Sequence, residues 1–277
     1  MKPKLTDYSY IQELLTKYGF RFSKSLGQNF LTADYVPVEI AEAADLSEDT
    51  QVVEVGPGFG CLTVELSSRA GRVTSYELDE TLMPVLQETL SGCENVEVVF
   101  RDYMKEKLPP REGKRVFCAN IPYNITSPLL TKVLTEDYDR ITVMIQKEVA
   151  HRICAGPGSP DYSSFGILCQ WYTEPEILFE VPRGCFIPQP KVDSAVITMK
   201  RRLQPSVITA DEQLMFRIIR AAFNFRRKTL VNALSSGLSM DKEEARAAVL
   251  SANLPETVRG EALSLAQFAE LANIIKK

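Results

Sequence analysis

A repeated alternation of strand and helix patterns most strongly constrains the fold of this chain. Short apolar segments typical of buried strands are each followed by helical apolar spacing, and the repeat starts at residues 51, 72, 95 and 114. Such βα units predict a largely parallel sheet covered by helices. A fifth strand is predicted at 141–145, and residues 176–181 and 194–199 are expected to form an antiparallel hairpin at the sheet edge.

The pattern changes after Arg202, where only helical spacing remains. Residues 209–212 read as a capping box that opens a helix running to about Phe223, and residues 264–267 read as a second box that opens the last helix. The sequence therefore predicts an α/β domain over residues 1–204, with an N-terminal helical extension, and a small all-helical domain over residues 205–277. A chain of 277 residues with 45% hydrophobic content can form two cores.

The first strand of the repeat runs directly into Gly56, Gly58 and Gly60. Ligands of open α/β sheets bind at such carboxyl ends of strands. The spacing G-x-G-x-G is tighter than the G-x-G-x-x-G fingerprint, which argues against a pyrophosphate. It suits the amino-acid end of S-adenosylmethionine, and Glu54 is compatible with the positive charge of that molecule. The alternative is a glycine-rich turn with a packing role.

The next two strands end in acidic residues. Glu77 follows Gly56 by about twenty residues, the distance at which a carboxylate binds ribose hydroxyls in related sheets. Asp102 could accept a hydrogen bond from the amino group of a bound adenine. An acid at a strand end is often only solvated. Their recurrence at successive strand ends favours a nucleoside-binding site.

The fourth strand of the repeat ends at residues 120–123, Asn-Ile-Pro-Tyr. The lone pair of the adenine N6 amine is delocalised into the ring, so the amine is a poor nucleophile. Hydrogen bonds from its N–H groups to Asn120 and to the Ile121 carbonyl would favour the pyramidal form that attacks, while Tyr123 could stack on the base. The residues predict N-methylation of adenine without a general base; the alternative is a simple strand end with a proline turn.

Taken together, these motifs resemble those of the ribosomal RNA adenine dimethyltransferases, specifically the KsgA-type enzymes of the small ribosomal subunit. The resemblance covers nearly the whole chain and rests on residues 25–31, 54–60, 77–79, 102, 120–123 and 186–194. It implies a Rossmann-like class I methyltransferase domain with a mostly parallel seven-stranded sheet. It also implies S-adenosyl-L-methionine as cofactor, S-adenosyl-L-homocysteine as product and no metal.

The resemblance also assigns roles to individual residues. Asn120 and Tyr123 would hold the target adenine, and Phe186 would stack on the other face of the flipped base. The segment with Gln28, Asn29 and Leu31 would close over the cofactor. The further cofactor-binding residues expected are Glu54, Gly56, Gly58, Gly60, Glu77, Leu78, Asp102, Tyr103 and, again, Asn120.

The implied reaction is methylation at N6 of two adjacent adenosines near the 3′ end of 16S ribosomal RNA within the small subunit. The product would be N6,N6-dimethyladenosine, and the protein would also act late in subunit assembly, as a monomer. Large-subunit enzymes that confer macrolide resistance share the catalytic motifs. Residues 224–230 and 232–234 resemble a block typical of the small-subunit enzymes.

Charge is distributed unevenly along the chain. Residues 1–30 carry five basic side chains against two acids and residues 201–277 carry twelve against eight, so the net charge of −4 leaves −11 for residues 31–200. Phosphate contacts come mainly from Lys and Arg. The RNA-binding candidates are Lys200, Arg201, Arg202, Arg220, Arg226, Arg227 and Lys228. Basic runs are also commonly solvated faces, so the helical domain could dock on RNA or could be a packing appendage.

The sequence also favours a cytoplasmic protein that is not membrane-bound. It shows no signal-type apolar region and no apolar run of membrane-spanning length, and its six cysteines form no C-x-x-C pair. Two other functions stay open. A non-catalytic assembly or transcription factor could use the same fold. A nicotinamide dehydrogenase is disfavoured by the glycine spacing and because the single His151 lies in no hydride-transfer motif.

Overall fold

The computed structural model describes residues 3–23 and 26–276. The chain divides into two compact units, the first made of Met1–Ala150 with Glu174–Arg201 and the second made of His151–Thr173 with Arg202–Lys277. The second unit thus contains residues 151–173, which fall within the predicted α/β domain of residues 1–204. They belong to the second unit because Tyr162, Ile167 and Trp171 are buried in the core of the helical unit.

Seven strands of the described chain form one sheet in the order β4-β3-β2-β5-β6-β9-β7, and β1 and β8 form a separate two-stranded pair. Their bounds are β1 Phe30–Leu31, β2 Thr50–Val55, β3 Arg72–Glu77, β4 Val96–Phe100, β5 Lys114–Asn120, β6 Arg140–Gln146, β7 Thr173–Val181, β8 Phe186–Ile187 and β9 Ser194–Arg201. Strand β2 pairs in parallel with β3 and β5, and β9 pairs antiparallel with β6. The predicted mostly parallel sheet with an antiparallel edge is confirmed.

The central strands are apolar on both faces because helices cover both sides of the sheet. Val52, Val53 and Val55 of β2 are all buried, as are Phe117 and Cys118 of β5. Since β2 to β5 run in parallel, the residues that follow their carboxyl ends meet along one edge of the sheet.

Helices of the first unit connect these strands and precede them. They are α1 Tyr8–Tyr18, α2 Tyr35–Ala43, α3 Cys61–Ser67, α4 Met83–Thr89 and α5 Thr126–Thr135, and they are followed in the chain by α6 Lys147–Cys154. Helix α1 forms the N-terminal helical extension that the sequence predicts. Asp7 caps its N-terminus by accepting from the Ser9 N–H at 2.8 Å, and Gly19 ends it with a left-handed φ of 60°.

The second unit is helical, as the sequence predicted. Its remaining helices are α7 Ser164–Tyr172, α8 Glu212–Asn224, α9 Leu230–Leu238, α10 Lys242–Ser251 and α11 Leu265–Ile275. The capping box of Ser264 and Gln267 is confirmed. The box predicted at residues 209–212 is wrong, because Asp211 caps α8 and accepts from the Leu214 N–H at 2.8 Å. In the part of the chain that the structure describes, every helix is too short or too polar to cross a bilayer.

Candidate active site

A pocket opens at the carboxyl ends of β2 to β5. It brings together most of the residues that the sequence analysis named for the cofactor and the target base. Those that line it are Gln28, Asn29, Leu31, Glu54, Gly56, Gly58, Glu77, Leu78, Asp102, Tyr103, Asn120 and Tyr123. Of the described residues that were predicted to bind the cofactor or the target base, Gly60 and Phe186 lie outside its lining.

The three glycines after β2 all have a left-handed φ, at 74°, 60° and 88°. Glycine adopts this region without the steric cost that other residues incur. A Cβ on Gly58 would lie 2.9 Å from the Phe30 ring, so the ring packs directly on the backbone there. A Cβ on Gly60 would instead lie 2.8 Å from Leu90. Gly58 therefore lies at the pocket wall, whereas Gly60 packs against Leu90 outside the pocket lining.

Glu54 is buried at the end of β2, with 1% of its surface exposed. Its Oε2 accepts hydrogen bonds from Thr63 Oγ1 at 2.7 Å and from Ser75 Oγ at 2.6 Å. Burial raises the pKa of this carboxyl to about 7, and the negative charge of Glu77 adds to the effect. A cation in the pocket would favour the ionised form of Glu54.

Glu77 and Asp102 follow β3 and β4 along the same edge. The Oε1 atom of Glu77 accepts from the backbone N–H groups of Leu78 at 2.8 Å and Asp79 at 2.9 Å, which fixes the carboxylate. Desolvation raises the pKa of Glu77. Asp102 is half-buried, and its Oδ1 accepts from the Met104 N–H at 3.0 Å. Both carboxylates are thus pre-oriented hydrogen-bond acceptors.

Tyr103 lies at the pocket but its phenol is committed to the interior. The hydroxyl lies 2.7 Å from the Tyr138 hydroxyl and donates to Glu136. The ring packs against Tyr76 and Phe117. Burial raises the pKa of Tyr103 far above its usual range, so this phenol stays protonated and structural.

The residues after β5 bring an amide and a ring to the pocket. Asn120 is the last residue of β5, and its Nδ2 donates to the Asn29 carbonyl at a long 3.4 Å. The Ile121 N–H donates to the Met144 carbonyl at 3.0 Å, which extends the pairing with β6 by one residue. Pro122 lies over the glycine loop, 3.8 Å from where a Cβ of Gly56 would stand.

Tyr123 and Phe186 differ in their surroundings. Tyr123 is half-buried and lines the pocket. Phe186 is 5% exposed and packs among Leu31, Val181 and Val196. It is buried because β8 pairs with β1, where Leu31 is the partner of Phe186. The structure therefore brings Tyr123 to the pocket wall and places the Phe186 ring in the neighbouring core.

The N-terminal segment is tied to this site by side-chain hydrogen bonds. Gln28 accepts from the Ser23 N–H at 2.8 Å through Oε1 and donates to Asp79 at 2.7 Å through Nε2. A Cβ on Gly27 would lie 3.0 Å from the Asn124 Oδ1. Ser25, with which the family-like block begins, lies outside the described residues. Asp79, which anchors Gln28 next to Glu77, ends the family-like block 77–79 but had no predicted role of its own.

The basic residues between α8 and α9 fall into two groups. Arg226 donates to the Glu261 carboxylate, and its Nη2 donates to the Pro160 carbonyl at 2.7 Å. Arg227 and Lys228 are exposed. Arg220 is also exposed on α8, together with Arg217 one turn earlier, which is not among the predicted RNA-binding residues. The three-residue spacing of these two arginines within a predicted helix could have identified the pair.

The basic residues at the end of β9 divide in the same way. Lys200 is exposed, whereas Arg201 donates to the Leu134 carbonyl at 2.5 Å. Arg202 donates through Nε to the Gln170 and Thr173 carbonyls, each at 3.1 Å. These two guanidinium groups satisfy backbone carbonyls within their own units. Lys24, which contributed to the predicted basic N-terminus, lies outside the described residues.

Comparison with known proteins gives matches over most of the chain. The family described as "Ribosomal RNA adenine dimethylase" matches residues 19–277. Among curated proteins, the chain is similar to "Ribosomal RNA small subunit methyltransferase A" of Geobacillus thermodenitrificans, with 42% identity over 95% of this chain and 94% of the relative. It is 45% identical to the protein of the same name from Clostridium perfringens, over 96% of this chain and 95% of the relative.

Solved structures share the fold. The 23S rRNA methyltransferase ErmE superposes with a TM-score of 0.73 and 30% identity, over 90% of this chain and 100% of that one. A dimethyladenosine transferase from Plasmodium falciparum superposes with the same TM-score and 25% identity, over 87% of this chain and 95% of that one. Both similarities extend over most of the chain.

Proposed function

The chain belongs to the ribosomal RNA adenine dimethylase family, and on that premise we propose that it methylates N6 of two adjacent adenosines near the 3′ end of 16S ribosomal RNA in the small ribosomal subunit. The product is N6,N6-dimethyladenosine. The observation that carries this proposal is that Asn120 and Tyr123 line the same pocket as Gly56 and Glu77. The two residues proposed to hold the target base therefore lie in the same pocket as two residues proposed to bind the cofactor.

The pocket residues fit S-adenosyl-L-methionine. Gly56 and Gly58 line the pocket, and the fixed carboxylate of Glu77 would accept from ribose hydroxyls. Asp102 would accept from the adenine amino group. Glu54, with its raised pKa, would ionise fully opposite a cation. When bound, this cofactor supplies an electrophilic methyl carbon whose bond to sulfur breaks as the N6 lone pair attacks, leaving S-adenosyl-L-homocysteine.

Asn120 and Ile121 would orient the target amine. The Asn120 side-chain oxygen and the Ile121 carbonyl each accept an N–H of the N6 amine, which turns its lone pair toward the methyl carbon. The 3.4 Å bond from Asn120 to the Asn29 carbonyl uses the side-chain nitrogen as donor, so it does not compete with acceptance by the side-chain oxygen. Positioning of this kind accelerates transfer without a strong base. The proton lost from the amine passes to solvent.

Tyr123 would provide one face for the flipped adenine without a change in its position. The proposed role of Phe186, stacking on the second face of the adenine, requires its side chain to move. Its ring is 5% exposed, so it must turn out of the core beside Leu31 when the base enters. The β1–β8 pair is only two residues long on each strand, and few backbone bonds oppose that movement.

The small ribosomal subunit is the proposed partner. Curated relatives named for this subunit share 42–45% identity with the chain, against 30% for the 23S enzyme of known structure. Arg220, Arg227 and Lys228 are proposed as phosphate contacts, joined by Arg217, because all four are exposed. Lys200, Arg201, Arg202 and Arg226 stay candidates. We further propose late action in subunit assembly, as a cytoplasmic monomer.

The test is to map methylated adenosines after immature small subunits are incubated with the pure protein and S-adenosylmethionine. Dimethyladenosine at two adjacent positions is expected. Asn120→Ala should reduce transfer by about a thousandfold, or about 4 kcal/mol of barrier, while cofactor affinity by calorimetry stays within about threefold, the equivalent of less than 1 kcal/mol.

The conservative variant Asn120→Asp keeps an acceptor oxygen at this position and should retain more activity than Asn120→Ala. No methylation by the wild-type protein, or full activity of Asn120→Ala, would contradict the proposal. Binding of NAD in place of S-adenosylmethionine would favour the dehydrogenase alternative.

A further inference from the structure

The phenol of Tyr123 makes a contact that base stacking does not require. Its hydroxyl lies 2.6 Å from Ser194 Oγ. Ser194 is fully buried and is the first residue of β9. A phenylalanine ring would stack on a base equally well, because stacking uses the face of the ring. Stacking on a base therefore does not explain why this residue carries a hydroxyl.

The backbone at Ser194 is held in place by strand pairing and by hydrogen bonds of the preceding residue. It pairs with Gln146 at the end of the antiparallel β6–β9 ladder. The residue before it is fixed twice, since the Asp193 carbonyl accepts from the Lys147 N–H at 3.0 Å and the Asp193 carboxylate accepts from the Arg183 N–H at 2.9 Å. The Ser194 hydroxyl is thus a fixed point in the first unit.

Tyr123 stands on a weaker support. It opens a single 3₁₀ turn, Tyr123–Ile125, directly after Pro122. A side chain in such a turn can rotate about two torsions, and each unwanted rotamer moves the ring away from the position where a base stacks. A hydrogen bond from the far end of the ring to Ser194 removes that freedom.

We propose that Ser194 is a positioning residue for methyl transfer, which holds the ring of Tyr123 in the orientation that receives the target adenine. The inference rests on the proposed function, since it assigns the ring to the adenine. Ser194 touches neither the base nor the cofactor in this scheme. It acts through Tyr123, and the loss of its hydroxyl should lower kcat because fewer bound bases are aligned for attack.

The competing explanation is that the bond only pairs the buried Ser194 hydroxyl with the phenol of the half-buried Tyr123. Buried polar groups are nearly always paired, and a group left without its partner destabilises the fold, whereas removal of both partners is close to neutral. Desolvation raises the pKa of Tyr123, which agrees with a sheltered phenol. The two explanations therefore differ for the variant that lacks both hydroxyls.

The experiment compares Ser194→Ala, Tyr123→Phe and the double variant, with S-adenosylmethionine and immature small subunits as substrates. Each single variant should lose about tenfold in kcat, and the double variant should lose no more than that, because both changes break the same bond. The Tm of Ser194→Ala should fall, because the phenol is left unpaired, and the Tm of the double variant should return toward that of the wild type.

Thr142→Val is the matched control. It removes a buried hydroxyl that lies 3.3 Å from Thr198 Oγ1 in the same strand pair, and neither threonine lines the pocket. Its Tm should fall while kcat stays unchanged. Recovery of kcat together with Tm in the double variant would overturn the positioning role, as would a kcat of Ser194→Ala equal to that of the wild type. Failure of the wild-type protein to methylate adenosine would overturn the proposed function itself, so the two failures are distinguishable.

Discussion

The pocket of the first unit and the basic residues of the second unit differ in how well sequence reasoning located them. Residues named from four successive strand ends lie at one pocket, including Gly58, Glu77 and Asn120, and Gly60 is the exception among them. In the second unit, two adjacent arginines named for the same role have different surroundings. Arg226 is engaged by Glu261 and the Pro160 carbonyl, whereas Arg227 is exposed.

The difference has a geometric cause. The carboxyl ends of parallel strands must lie along one edge of a sheet, so a motif that follows each strand is placed by the topology alone. A cation in a turn between helices has no such constraint. Whether it binds an internal carbonyl or faces solvent depends on which distant segments pack beside it, and for Arg226 these are residues 160 and 261.

The sharpest test of the pocket side compares two glycines that look equivalent in the sequence. An alanine in the left-handed region costs about 1–2 kcal/mol at either position. Gly58→Ala also forces a Cβ to 2.9 Å from the Phe30 ring beside the pocket, whereas Gly60→Ala meets the flexible end of Leu90. Gly58→Ala should weaken S-adenosylmethionine binding by about thirtyfold, or about 2 kcal/mol, and Gly60→Ala should leave it nearly unchanged.

Calorimetric titration measures the affinities, and thermal unfolding serves as the control, since Tm should fall in both variants. Equal losses of affinity in the two variants would contradict this prediction, because they would show that lying at the pocket wall does not make Gly58 more important for binding than Gly60.

Glu54 gives a second test, of intermediate size. Glu54→Gln keeps the acceptor oxygen for Thr63 and Ser75 but removes the charge. Cofactor affinity at pH 8 should fall by about tenfold, or about 1.4 kcal/mol. Wild-type affinity should also fall as the pH drops below about 7, where Glu54 takes up a proton. The affinity is measured between about pH 6 and pH 8, a range that brackets the pKa of Glu54. An affinity that does not change over this range would contradict the role of Glu54.

The same substitution should act on stability in the opposite direction. The folded pKa of about 7 lies above the unfolded value of 4.5, so between these limits the unfolded chain releases a proton that the folded protein retains. Stability of the wild type should therefore fall as pH rises through this window, by about 1.4 kcal/mol for each pH unit. Glu54→Gln should lack this loss and should unfold at a higher Tm at pH 8.

The smallest effects are expected for the two arginines. Arg226→Ala should lower stability by roughly 1 kcal/mol, because a partly exposed ion pair and a carbonyl contact are lost. Arg227→Ala should change stability by less than about 0.5 kcal/mol. It should weaken binding to small subunits a few-fold and reduce the dependence of log K on log salt by about 0.7 to 0.9. Filter binding at several salt concentrations measures this slope.

Reversed results, with a salt-dependent loss for Arg226→Ala and a loss of stability for Arg227→Ala, would show that exposure does not identify the phosphate contacts. Equal changes in the salt slope would show that both arginines contact phosphate.

Much of the fold followed from local patterns, and the exceptions share a feature. The Ser264 capping box and the parallel sheet were predicted correctly, since both depend on nearby residues or on strand order. The box at residues 209–212 failed because Asp211 competes for the N-cap of α8. Residues 151–173 follow the first unit in sequence, yet their apolar side chains pack in the helical core. Packing partners far along the chain cannot be read from periodicity.

The sequence by itself determined which groups meet in the pocket, because strand order and the residues after each strand place those groups along one edge of the sheet. The tertiary structure alone decided how these groups are held. Only folding shows that Ser194 supports Tyr123, that Gln28 is anchored by Asp79, and that Phe186 is covered by Leu31. These contacts join segments 51 to 155 residues apart, and no local spacing rule specifies pairings over such separations.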